Sequence, residues 1–131
     1  MNRQIVITAS ILGMLGVIAG AFAAHGLQQY LEPKQIEIWR TGVQYQFYHV
    51  FALLACGILG ERLHTSWIYR AGTCFIVGIL LFSGSLYFIS LLITAGIRVP
   101  QALGMLTPLG GLGFILGWIF LTIAVAKGTR S

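Results

Sequence analysis

The chain has 131 residues, of which 57% are hydrophobic and 8% charged, with three acidic residues and a formal charge of +5. Soluble domains carry about 25% charged residues, so this composition, with its mean hydropathy of +0.87, excludes an ordinary water-facing surface. The eight basic residues are scattered singly near the ends of apolar stretches, which excludes a nucleic-acid patch and fits helices oriented by lipid headgroups.

Four stretches contain no Asp, Glu, Lys or Arg: Gln4 to Leu31, Thr41 to Gly60, Ala71 to Ile97 and Val99 to Ala126. A hydrocarbon core is crossed by roughly 20 mostly apolar helical residues, and each stretch meets that length. The prediction is an all-α integral membrane four-helix bundle, a single transmembrane domain over residues 1–131 with spans at about 5–24, 42–60, 71–95 and 108–126.

The first span ends in Ala21-Phe22-Ala23, which resembles a signal-peptidase site behind Arg3 and an apolar run. Cleavable signals have an apolar core of roughly 7 to 15 residues; this run is longer, so the helix is expected to be retained. Residues 25–41 make the longest polar connection. Pro33 suits the first turn of a helix, and Ile36, Trp39 and Val43 recur at helical spacing, with Lys34, Glu37 and Arg40 around the rest of the wheel. This pattern predicts a short interfacial amphipathic helix feeding span two, against the plainer reading of a loop with one tryptophan anchor. A tight turn holding Glu61, Arg62, His64 and Arg70 leads to span three. Span four is expected to start at Thr107-Pro108, with threonine capping and proline in the first helical position. Cys56 and Cys74 fall inside spans and read as small packing residues, since no CxxC or ligand cluster accompanies them.

Four spans put both termini on one side. That side collects Arg3, Arg62, Arg70, Lys127 and Arg130, which is five, against Lys34, Arg40 and Arg98, which is three. The positive-inside rule then favours cytoplasmic termini in a bacterial inner (plasma) membrane.

Helices in lipid associate through close backbone approach, which small residues at four-residue spacing allow. Span one offers Gly13, Gly16 and Gly20, and span four offers Gly110, Gly113 and Gly117. These two spans are therefore expected to pack against each other. Leu12 to Gly20 matches Leu109 to Gly117 at six of nine positions, as an inverted repeat of the transporter kind would, although two glycine-rich helices also coincide by composition.

Polar side chains at membrane depth are costly and usually face the bundle interior. Ser83, Tyr87, Ser90 and Thr94 share one face of span three, either as hydroxyls bonded to neighbouring backbone or as the lining of a path. In span two, Gln44-Tyr45-Gln46-Phe47-Tyr48-His49 is dense in hydrogen-bonding groups, and Tyr45, His49, Ala52 and Cys56 share a face, so His49 is expected to point inward. His25 is expected at the same membrane face. Two histidines at one level admit a cofactor reading, as haem ligands or a relay near a quinone, beside the structural one in which each satisfies a neighbouring polar group.

Four ordered blocks, Gly20 to Leu27, Trp39 to His49, Ser83 to Tyr87 and Thr107 to Gly111, together resemble the small membrane protein family catalogued as domain of unknown function 423. The resemblance covers nearly the whole chain. Ala23 stands where the family commonly has glycine and Gly42 where it commonly has alanine, both small-for-small exchanges. The resemblance implies a four-span inner-membrane protein related to a mitochondrial-type transmembrane protein of animals, and it implies no activity. With the blocks laid on the topology, His25, Gln44, Gln46, His49 and Thr107 are expected to surround one site, with Tyr87 reaching toward it.

All three acids lie outside the apolar runs, and no nucleophile has an evident base beside it. The leading expectation is therefore a non-enzymatic accessory or assembly partner of a membrane complex, with no cofactor, meeting lipids and a membrane-protein partner or further copies of itself, and no nucleic acid. The alternatives are a small oligomeric transporter or channel lined by Ser83, Tyr87, Ser90 and Thr94, and a haem- or quinone-associated redox subunit using His25 and His49.

Overall fold

The computed structural model describes residues 1–128, so Arg130, counted above among the terminal-side charges, lies outside the described residues. Helix α1 runs Arg3–His25, α2 Pro33–Leu63, α3 Ser66–Gly78, α4 Gly84–Thr94 and α5 Gln101–Lys127. A π-turn, Ile79–Ser83, joins α3 to α4 without a break, so Ser66–Thr94 is one 29-residue rod and four rods are long and apolar enough to cross a bilayer. All five named helices belong to these rods, and the fold is an all-α four-helix bundle.

The helix ends follow local chemistry. Asn2 caps α1 by accepting from Ile5 N at 3.2 Å, and Thr65 opens α3 by accepting from Trp67 N at 3.4 Å. Between α2 and α3 the chain reverses in a short turn in which His64 takes a left-handed conformation, φ 40°. Gly96, at φ 73°, closes α4, with Ile97 N donating to Leu92 O at 2.9 Å. Side chains rarely adopt that backbone region, which glycine enters freely.

Two expected boundaries move. The short interfacial helix is not a separate element: Pro33 starts α2 itself, and nothing between Ile36 and Gly42 interrupts it, so the amphipathic turns are the first part of a 31-residue helix. Helix α5 starts at Gln101 after Pro100, leaving Pro108 inside it. Thr107 therefore caps nothing. Its hydroxyl instead meets that of Ser85 at 2.6 Å.

The pairing of helices also differs from expectation. Helix α1 lies along α2, α2 along the α3–α4 rod, and that rod along α5, while α1 and α5 share no substantial contact. Gly13 and Gly20 face Val50 and Val43 of α2, each with 3.5 Å of room for a Cβ. On α5, Gly110 faces the backbone of Phe82, and Gly117 faces the ring of Phe75. Small residues announce that a neighbour comes close without naming it. Helices joined by short loops reach each other first, and each glycine face has taken an antiparallel neighbour, with the two matched segments using one device on different partners.

The interior divides by depth. In the half nearer the termini, Leu53, Cys56, Ile68, Ala71 and Phe75 are fully buried and apolar. In the half nearer the α1–α2 and α4–α5 connections, the buried set includes Gln35, Gln46, Ser83 and Ser90.

Candidate functional site

The polar half is a hydrogen-bonded seam. Ser83 Oγ donates to Gly42 O at 2.6 Å, and Ser90 Oγ to Gln35 O at 2.8 Å. Tyr87 OH donates to Gln46 Oε1 at 2.6 Å, and Gln46 Nε2 donates on to Leu12 O at 2.7 Å. Trp39 packs against Tyr87 at a tilt, ring centroids 4.6 Å apart and 43° between planes, and its Nε1 donates to Ala19 O at 2.8 Å. Thr94 Oγ1 bonds Ser90 O within its own helix. The close approach that this seam needs comes from Gly42, where a Cβ would lie 2.9 Å from the Tyr87 ring. The span-three hydroxyl stripe is thus a packing seam among α1, α2 and α4. Gln35 Oε1 is the one buried side-chain oxygen or nitrogen without a partner among the described residues.

His49 lies on the other side of α2, against α5. Its Nδ1 is 2.7 Å from Tyr45 O, so that nitrogen carries the proton, and Nε2 offers its lone pair to Trp118 Nε1–H at 3.1 Å. Its ring is parallel to Phe114, centroids 3.5 Å apart and 6° between planes. Because Phe114 sits midway along Gln101–Lys127, this stacked pair lies near the middle of the bilayer. Beside it, between α2 and α5, lies a lateral groove of about 960 Å³, walled by Tyr45, Tyr48, His49, Phe82, Phe114 and Trp118.

The six residues expected to form one polar site are therefore distributed. Gln46 and Tyr87 meet in the seam, His49 faces the groove, and Thr107 pairs with Ser85. Gln44 is exposed and donates to Tyr48 OH at 2.5 Å. His25 is exposed at the end of α1. Val50, next to His49, packs on Gly13, and His25 lies twelve residues beyond Gly13, about 18 Å along the helix. The two histidines are at different depths, because α2 runs unbroken from Pro33 to Leu63 with His49 near its midpoint, whereas His25 ends α1. Trp39 was expected only as an interfacial anchor and Trp118 was not singled out, though each carried a signal: an indole N–H inside a span must find an acceptor.

Separate roles predict separate costs. His49→Ala removes the stacked ring and orphans the Trp118 donor, and is expected to lower bundle stability by about 2–4 kcal/mol. His25→Ala is expected to stay within about 0.5 kcal/mol. Detergent unfolding titrations of the two variants check this.

Residues 19–111 match the model of a family described as "Protein of unknown function (DUF423)". The chain is 39% identical over 126 residues to the UPF0382 membrane protein YwdK of Bacillus subtilis, covering 95% of this chain and 98% of that one. It is 35% identical to a UPF0382 membrane protein of Haemophilus influenzae, covering 97% of each. With the UPF0382 inner membrane protein YgdD of Escherichia coli it shares 31% identity, over 98% of this chain and 94% of that one. No solved structure matches. Four apolar rods, the family match and these relatives together place the chain in the DUF423 family of UPF0382 membrane proteins.

Proposed function

We propose that this chain is a non-enzymatic protein of the bacterial inner membrane that serves as an accessory or assembly partner of a membrane complex. One observation carries the reading: Ser83, Tyr87 and Ser90, the residues best suited to line a path, spend their hydroxyls on α2. A packed seam offers solutes no route, which weighs against the transporter or channel alternative. The depth difference between His25 and His49 weighs against a redox centre that uses both. What is left for function is the lipid-facing exterior, where Phe51, Ile58, Phe88 and Ile115 are more than half exposed, and partners meet such a chain helix to helix.

The inner-membrane assignment draws on the name of the Escherichia coli relative. Cytoplasmic termini draw on Arg3, Arg62, Arg70 and Lys127 at one end against Lys34, Arg40 and Arg98 at the other. The test is purification of the tagged chain in mild detergent, with the same membrane-protein partner expected to accompany it in stoichiometric amount across preparations. A lone chain in every mild detergent would sink the reading. In the same cells, an Arg98→Cys variant is expected to react with an impermeant maleimide added from outside; protection of that thiol would reverse the orientation.

A further inference from the structure

The lateral groove between α2 and α5 combines aromatic walls with polar groups. Its walls are largely aromatic, with the Tyr45 and Phe82 rings at 4.7 Å and Trp118 beside the His49–Phe114 stack. It also carries polar groups at a depth where lipid offers them nothing. Trp118 Nε1–H is taken by His49, and Tyr48 OH accepts from Gln44. The Tyr45 hydroxyl, unlike those of Tyr48 and Tyr87, finds no partner among the described residues. Tyr45 is four residues from His49, about 6 Å along α2, well inside a hydrocarbon core about 30 Å thick. A donor there has to be met by whatever enters from the side.

Acyl chains bring no acceptor to mid-membrane. A flat ring bearing a carbonyl does, and flat rings pack well in offset or edge contact with aromatic walls. The geometry points to this groove as a binding site for the ring of a lipid-soluble quinone, entering laterally, stacking among Tyr45, Phe82 and Trp118, and accepting a hydrogen bond from the Tyr45 hydroxyl at a ring carbonyl. The inference concerns binding alone, with no electron transfer, and stands independently of the accessory role. Gly111 forms part of the lining and holds the groove open: a Cβ there would meet only Phe82 Cδ2 at 3.9 Å, so a larger side chain would fill the space without disturbing the helix contact.

The probe is a short-tailed benzoquinone titrated into the full chain in phosphatidylcholine nanodiscs, read by quenching of tryptophan fluorescence. Saturable quenching is expected, abolished by Gly111→Phe and by Trp118→Phe but retained by Ile119→Phe, a change on the exposed side of the same helix. Tyr45→Phe, which keeps the ring, is expected to weaken binding about three- to tenfold, the effect of one net hydrogen bond. Linear quenching, identical in all variants, would mean partition into the bilayer only and overturn the site. Equal displacement by hexadecane would overturn it in favour of a generic acyl-chain groove. A native mass that falls from dimer to monomer in Gly111→Phe, with quenching unchanged, would overturn it in favour of an interface between copies. Each of these outcomes is distinct from failure to find a copurifying partner.

Discussion

Replacing Gly110 by leucine is expected to unseat α5 from the bundle. A Cβ at Gly110 would lie 2.8 Å from Phe82 Cα, and the Phe82 backbone nitrogen is nearer still. Phe82 belongs to the π-turn, whose wider coil brings its main chain up to α5. Backbone cannot swing aside as a side-chain tip does, so the cost should reach the upper end of overpacking penalties, about 3 kcal/mol. Gly113→Ala on the same stripe is the control. Its Cβ would sit 3.5 Å from Cys74 O and Gly78 Cα, an ordinary contact, and alanine gains about 1 kcal/mol of helix propensity over glycine. Thermal unfolding in detergent should therefore separate the pair, with Gly110→Leu losing the cooperative transition at temperatures where Gly113→Ala keeps it. Equal behaviour of both variants would show that α5 does not dock on the π-turn at Gly110.

Gln46→Leu is expected to cost about 1–2 kcal/mol, because one amide holds three helices. It donates to Leu12 O on α1 and accepts from Tyr87 OH on α4. Intramembrane hydrogen bonds average only about 0.6 kcal/mol by double-mutant cycles, but removing one partner here strands the buried Tyr87 hydroxyl, whose desolvation adds to the loss. The second variant decides the mechanism. Tyr87→Phe in the Gln46→Leu background removes the stranded donor, so the double variant should lie closer to the parent than the two single losses added together. Strict additivity would mean that the hydroxyl and the amide do not communicate.

These two expectations rest on features of different legibility. The glycines of α5 were visible as a packing face, yet the identity of the surface they meet was not. Leucine-glycine patterns in α1 and α5 match at six of nine positions, and that likeness favoured pairing them with each other. The seam was visible as a hydroxyl stripe with two readings open, and Gln46 was visible as a polar residue in a span. Nothing local in the sequence said that the Gln46 amide would close on both Leu12 and Tyr87. The grouping of His25 with His49 failed for a geometric reason. The short helix expected from Pro33 and the span expected from about Gly42 are one continuous helix, Pro33–Leu63, so His49 lies near its middle while His25 ends α1.

The sequence by itself determined that the chain is all-α, lies in a membrane and crosses it with four rods, because hydrophobicity accumulates residue by residue and the bilayer reads only that sum. It also determined where close approach is permitted, since glycine's lack of a side chain is a property of the residue alone. The tertiary structure decided which helix takes each approach, that the hydroxyls of Ser83, Tyr87 and Ser90 bond α2, and that His49 stands near the middle of its helix beside an aromatic groove instead of near His25. Those outcomes depend on the fit of side chains distant in sequence, such as Tyr87 against Gly42 or Phe114 against His49. That complementarity arises only when the rods are assembled.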